Sequence, residues 1–264
     1  MVLNKLRRRE EMGVKTTVFG PRGWLVLESI ADMYDRNKFS KQLYELMCQF
    51  FILFSKVIPC IYCRISFRGF TDPRAKWPVG DGVTRPSESN IREMLLKRKA
   101  RFLVYTLHNG VQDKLRVQEQ RDHPARAKRI EKEWAARRIT FQRALEDHFF
   151  NVESEEFWDG LTTFLALSFC DYRENDCSSF FDFFNMIGKI LKAGGHAKLG
   201  DYYLDTLALT SGAWKRDMDF DTRMDIAWCL YKRMYDYIGV EYYYSRASLA
   251  KLCEDATVKD CVEN

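Results

Sequence analysis

Two cysteines spaced as Cys60-x-x-Cys63, directly after Pro59, are the residues of this chain best placed to do chemistry. A C-x-x-C pair can be half of a zinc site, a catalytic dithiol, a structural disulfide or two reduced core cysteines. The pair follows the apolar stretch "FFILFSKVIP", and the proline disfavours helical geometry at Ile58. We therefore expect the pair near the first turn of the next helix, where exposed N–H groups favour a reactive thiolate.

Two rival uses of the pair fit the surrounding sequence less well. A structural zinc site needs four ligands, usually as two short-spaced pairs, and this chain has one C-x-x-C and no H-x-x-x-H among its four histidines. A thioredoxin-type dithiol follows a β-strand, whereas this pair follows a helical pattern. We predict no metal site and favour a redox dithiol.

Helical periodicity dominates the chain. Apolar residues recur three and four positions apart in "KQLYELMCQFFILFSKVIP", in "WLVLESIADMY" after a loop at Gly20-Pro21 and Gly23, and throughout "SESNIREMLLKRKARFLVYTLHNGVQDKLRVQ". Aromatic helix-like segments follow later, and no alternating strand pattern of useful length occurs. The pattern predicts an all-α fold.

Four segments are predicted from these patterns and from the length of 264 residues. They are a basic N-terminal segment at 1–17, a compact helical domain at 18–118, a charged helical connector at 119–150, and a C-terminal helical domain with a cysteine-bearing tail at 151–264.

Composition narrows the class of protein. Hydrophobic residues make up 46% of the chain and aromatic residues 14%, which indicates a folded protein. The net charge of +5 is small against 42 basic and 37 acidic residues, and the excess basic residues lie mainly in "NKLRRRE" and between Lys97 and Arg143. We therefore expect no nucleic-acid partner. Apolar runs are too short for a membrane span or a signal peptide. We expect a soluble cytoplasmic protein with no membrane partner.

Three motifs occur together and in order: Gly20-Pro21-x-x-Trp24, Pro59-Cys60-x-x-Cys63, and His108-Asn109-x-Val111. Their order and spacing, over residues 18–118, resemble the Erv/ALR family of FAD-dependent sulfhydryl oxidases. The resemblance implies a four- to five-helix bundle that binds FAD and forms a homodimer. It also implies that electrons pass from a protein dithiol substrate or a thioredoxin-like relay to the C-x-x-C pair, then to flavin, and then to O2, giving H2O2.

The resemblance assigns roles to single residues. Cys60 and Cys63 would be the redox pair, with Cys63 facing the flavin. Residues at positions that line the FAD site in the family are Arg22, Trp24, Glu28, Tyr34, His108, Asn109, Val111, Gln112 and Lys114. Their chemistry suits the cofactor, because aromatic faces stack on flat rings and cations approach a pyrophosphate.

The sequence departs from the family pattern at three positions. Glu28 stands where the family has a histidine, Gln112 stands where it has its second asparagine, and Tyr105 stands where many cellular members have a structural cysteine. With the long C-terminal extension, these departures resemble the diverged members encoded by large DNA viruses, which would place the protein in host cytoplasm or in a virion. The alternative function is a non-enzymatic helical scaffold or virion-assembly protein.

The second half raises two further hypotheses. "WDGLTTFLALSFCDY" and "FFDFFNMIGKIL" loosely match "WLVLESIADMY" and "FFILFSKVIPC", so the second half is either a degenerate repeat without a dithiol or an unrelated helical segment. Members of the resembled family often relay electrons through a second cysteine pair. The candidates here are Cys253 with Cys261, and Cys170 with Cys177, and the alternative is that all four are free thiols.

Overall fold

The computed structural model describes residues 13–60, 63, 64, 67, 88–137, 151–170, 177–213 and 218–258. The helices in this part of the chain are α1 (Thr16–Arg36), α2 (Lys41–Val57), α3 (Glu88–Leu96), α4 (Ala100–Asp122), α5 (Ala127–Arg137), α6 (Glu155–Cys170), α7 (Cys177–Ala193), α8 (Ala197–Thr210), α9 (Phe220–Ile238) and α10 (Arg246–Ala256). Short 3-10 turns lie at Pro124–Arg126 and Ser211–Ala213. Two-residue strands, β1 (Gly13–Val14) and β2 (Thr257–Val258), pair antiparallel. The predicted all-α fold is confirmed.

The first helix begins earlier than the sequence predicts. The expected loop at Gly20-Pro21 is wrong, because α1 starts at Thr16 and runs through both residues. Pro21 lies in the second turn, where its missing N–H costs the helix one hydrogen bond. Gly23 lets α6 approach closely, since a Cβ there would lie 3.2 Å from the Phe164 ring. Packing against α6 outweighs the local loop signal.

The predicted helix over 87–118 is divided into α3 and α4. Arg98, between them, has φ of 58°, in the left-handed region. Its guanidinium donates to the backbone carbonyls of Tyr34 and Asn37, and lies 4.6 Å from the centre of the Tyr34 ring. Asp35 of α1 then caps α4, because its carboxylate accepts from Ala100 N and Arg101 N, each at 2.9 Å. Contacts from α1 therefore set this break.

Helices from both halves of the chain share one buried apolar core. In the first half α4 packs on α1, α3 packs on α2, and α3 meets α4. In the second half α9 packs on α6, α8 packs on α7, and α8 meets α9. The halves join where α1 packs on α6 and α2 packs on α7. These three contacts within the first half thus each have a counterpart within the second.

Within the part of the chain that is described, the helices are all too short or too polar to cross a bilayer.

Candidate active site

The cysteine pair lies where α2 gives way to a new helical turn. The N–H of Cys63 donates to Cys60 Sγ at 3.2 Å, and the N–H of Arg64 donates to Cys60 O at 2.9 Å. Cys60 therefore occupies the start of the turn, as the proline before it predicts, and its sulfur accepts from a backbone amide that would favour a thiolate. Cys60 is only 7% exposed, whereas Cys63 is partly exposed.

The turn is fixed in place from three directions. Val14 N of β1 donates to Pro59 O at 3.0 Å, which ties the start of the chain's described part to the residue before the dithiol. The buried guanidinium of Arg64 reaches back and donates to Ile58 O at 3.0 Å. β1 is itself held by β2, which follows α10. The C-terminal half thus supports the segment that carries the dithiol.

A cavity of about 80 Å³ opens beside Cys63, between α1, α2, α4 and α6. Its walls are almost entirely apolar or aromatic, and Cys63 contributes to them while Cys60 does not. The lining residues are Thr16, Phe19, Gly20, Gly23, Trp24, Phe54, Ile58, Cys63, Phe67, Val111, Leu115 and Phe164. Two residues from the predicted flavin site, Trp24 and Val111, lie in this wall together with the thiol.

His108 supports the cavity from behind Trp24. The two rings stack with centroids 4.4 Å apart and an interplanar angle of 17°. Two of the three departures from the family pattern contact this imidazole: Glu28 Oε1 lies 3.8 Å from Nδ1, and Gln112 Nε2 lies 3.4 Å from Nε2. Glu28 and Gln112 therefore flank the histidine on its two nitrogens and limit how its ring can turn against Trp24.

Two predicted cofactor contacts lie away from the cavity. Tyr34 is fully buried and donates to Leu95 O at 2.7 Å, and its burial raises its pKa to about 12. Arg22 points to the second half, donating to Val18 O at 2.7 Å and to the Tyr244 hydroxyl at 3.5 Å. Tyr34 thus links α1 to α3, and Arg22 links α1 to the segment between α9 and α10.

Asn109 is partly buried on α4, one residue after His108, and does not line the cavity. Lys114 lies on the same helix, and its side chain is outside the described part of the structure.

Of the four predicted relay cysteines, the structure describes the side chain of Cys253. Cys253 is fully buried within α10, and the described part of the tail ends in β2. Cys261 lies outside the described residues. Cys170 ends α6 and Cys177 begins α7, and their side chains are also outside the description. A relay by either pair stays a prediction.

Two residues of the site were missed by sequence reasoning. Thr16 begins α1 with its hydroxyl oxygen 4.0 Å from Cys63 Sγ, and Phe164 of α6 forms a wall from the other half of the chain. Neither belongs to a motif. Their roles arise from contacts between distant segments, for which one sequence carries no signal.

No family model, curated protein or solved structure matches this chain. The described residues also contain no group of three His, Cys, Asp or Glu side chains that could hold a metal ion. The family resemblance therefore depends on the motifs themselves.

Proposed function

We propose that this protein is an FAD-dependent sulfhydryl oxidase that forms disulfides in protein thiols. The observation that supports it best is the position of Cys63. This thiol lies in the wall of an apolar cavity whose lining also includes Trp24. The His108 ring stacks on the Trp24 ring. A thiol and an aromatic face in one apolar cavity would allow a flat flavin ring to lie beside the sulfur.

The cavity suits one part of the cofactor, a flat apolar ring. Its walls offer aromatic and aliphatic contacts, and Cys63 supplies the sulfur that such a ring would meet. A volume of about 80 Å³ is smaller than a whole tricyclic ring, so the ring would extend outward past Leu115, which is exposed. Trp24, Val111 and Phe164 would hold its faces.

The proposed cycle uses both cysteines of the pair. A substrate thiolate attacks the Cys60–Cys63 disulfide, a mixed disulfide forms, and the second substrate thiol displaces it, leaving an oxidised substrate and two reduced cysteines. FAD, when bound, accepts those two electrons and passes them to O2, which becomes H2O2. Cys63 would be the cysteine that meets the ring, because it alone of the pair lines the cavity. Its return to a disulfide with Cys60 completes the cycle.

We propose further that the second half is a degenerate repeat of the first. The helix contacts support this, because α6 to α9 pack on one another as α1 to α4 do. Trp158 of α6 takes the place of Trp24, but it is fully buried and packs on Phe157 and Tyr203. Gly194 and Gly195 follow α7 where Pro59 and Cys60 follow α2. A repeat of this kind would serve packing, not redox chemistry.

The test begins with the absorption spectrum of the purified protein. We expect flavin bands near ~450 nm and oxygen uptake with a dithiol such as dithiothreitol. Cys63→Ser should retain the flavin bands and lose oxygen uptake. The matched control is Cys229→Ser, which makes the same change at a partly buried cysteine on α9 that does not line the cavity. Its oxygen uptake should match wild type.

Two results would overturn the proposal. A colourless protein that takes up no added FAD would favour the non-enzymatic scaffold. A yellow protein whose oxygen uptake survives Cys63→Ser would mean that the flavin is reduced by another route.

A further inference from the structure

The apolar lining of the cavity disfavours the thiolate form of Cys63. The thiolate is the reactive form of cysteine, yet apolar surroundings favour the neutral thiol. Apart from the Trp24 indole, Thr16 and Cys63 supply the only polar side-chain groups in the described lining. A hydrogen-bond donor at this point would therefore favour the charged form of the sulfur.

Thr16 is placed to be that donor. Its Oγ1 lies 4.0 Å from Cys63 Sγ, a distance at which a hydroxyl can donate to sulfur. Thr16 is also the first residue of α1, so the sulfur lies near the positive end of that helix. The position is held from both sides, because Val14 N donates to Pro59 O at 3.0 Å and Lys15 N donates to Ala256 O at 2.9 Å.

We propose that Thr16 is a positioning residue that stabilises the Cys63 thiolate through its hydroxyl. The functional meaning of this role rests on the proposed oxidase, whereas the chemistry at the sulfur can be measured without it. Two cations near the dithiol donate to backbone carbonyls: Arg64 donates to Ile58 O at 3.0 Å, and Lys15 Nζ donates to Asp255 O at 2.8 Å. The Glu28–His108 pair lies behind Trp24.

The experiment measures how fast Cys63 is alkylated as pH changes. Full-length protein with Cys60→Ser leaves Cys63 as the reporter, and mass spectrometry of its peptide follows iodoacetamide labelling from pH 5 to pH 10. In this background Thr16→Val, which keeps the shape and removes the hydroxyl, should move the midpoint upward by about 0.5–1 pH unit, or three- to tenfold less thiolate at neutral pH. Thr16→Ser should restore the original midpoint.

The midpoint separates this role from a structural one. A change in access to the sulfur alters the plateau rate and leaves the midpoint unchanged, whereas a change in apolar burial moves the midpoint as well. Thr16→Ser distinguishes these two causes of a shift, because serine keeps the hydroxyl and loses the methyl group. Thr17→Val is the matched control, since Thr17 is exposed like Thr16 and lies on the same helical turn but does not line the cavity. It should leave both the midpoint and the plateau unchanged. The proposal is overturned if Thr16→Val keeps the parent midpoint, or if Thr16→Ser shifts it as far as valine does.

The outcomes also separate this inference from the proposed function. A protein that binds no flavin but shows the Thr16→Val shift refutes the oxidase and leaves the hydrogen bond standing. A flavin oxidase in which the midpoint does not move refutes only the role of Thr16.

Discussion

Replacing Phe164 tests whether the second half of the chain forms part of the proposed flavin site. Phe164 is 0% exposed, lines the cavity, and stacks on Phe54 with centroids 5.6 Å apart. Phe169 is the matched control on the same helix, since it is also 0% exposed and stacks on Phe180 at 6.2 Å but does not line the cavity. The variants are Phe164→Leu and Phe169→Leu.

Both substitutions should lower the free energy of unfolding by a similar amount. Each loses an aromatic pair and part of a buried ring, for a cost of about 1–3 kcal/mol. Only Phe164→Leu should also weaken flavin binding. If about 50 Å² of ring surface at the wall contacts the ligand, ~25 cal/mol per Å² gives about 1.3 kcal/mol, or about tenfold in Kd.

Urea denaturation gives the stability of each variant, and titration of apoprotein with FAD, followed by flavin fluorescence, gives Kd. The expected result is matched stability loss with a tenfold weaker Kd in Phe164→Leu alone. Equal weakening in both variants would show that flavin affinity follows global stability. Wild-type affinity in Phe164→Leu would show that α6 forms no part of the site.

Two further predictions concern how the helices are held. Asp35→Asn should lower the free energy of unfolding by about 1–2 kcal/mol in urea denaturation, because the carboxylate accepts from both Ala100 N and Arg101 N. Burial raises the pKa of Asp35, so the folded protein retains a proton that the unfolded chain releases. The difference in free energy of unfolding between wild type and Asp35→Asn should therefore shrink as pH rises from about 4 through the raised pKa. An increase of that difference over the same pH range would contradict the prediction. Gly200→Ala should cost about 2–3 kcal/mol, because a Cβ there would lie 2.8 Å from the backbone of α7, whereas Gly212→Ala, with nothing within 4 Å, should change stability by less than about 0.5 kcal/mol. Equal midpoints for the two glycine variants would refute the close approach of α7 and α8.

Local signals predicted the helical fold and the position of the dithiol. The i, i+3, i+4 spacing of apolar residues in α2 is a property of neighbouring residues, and it predicted a helix that the structure confirms. Pro59 likewise stops α2 and places Cys60 at the start of a new turn because its effect on the backbone is local.

Local signals failed where distant residues decide the conformation. The loop predicted at Gly20-Pro21 is helix because α6 packs against it, and the helix predicted through Arg98 breaks because Asp35 supplies the cap for α4. In both places the deciding contact comes from another helix, so tertiary packing overrides the local preference.

The sequence by itself determined which residues are available for chemistry: a C-x-x-C behind a proline, and Trp24 and His108 as aromatic partners. Only the tertiary structure decided that Cys63 lines the cavity, that Trp24 and His108 stack, and that Thr16 lies beside the thiol across 47 positions of sequence. The physical reason is the separation in sequence of the residues that interact. Backbone geometry responds to neighbouring residues, whereas a cavity exists only where helices distant in sequence pack together.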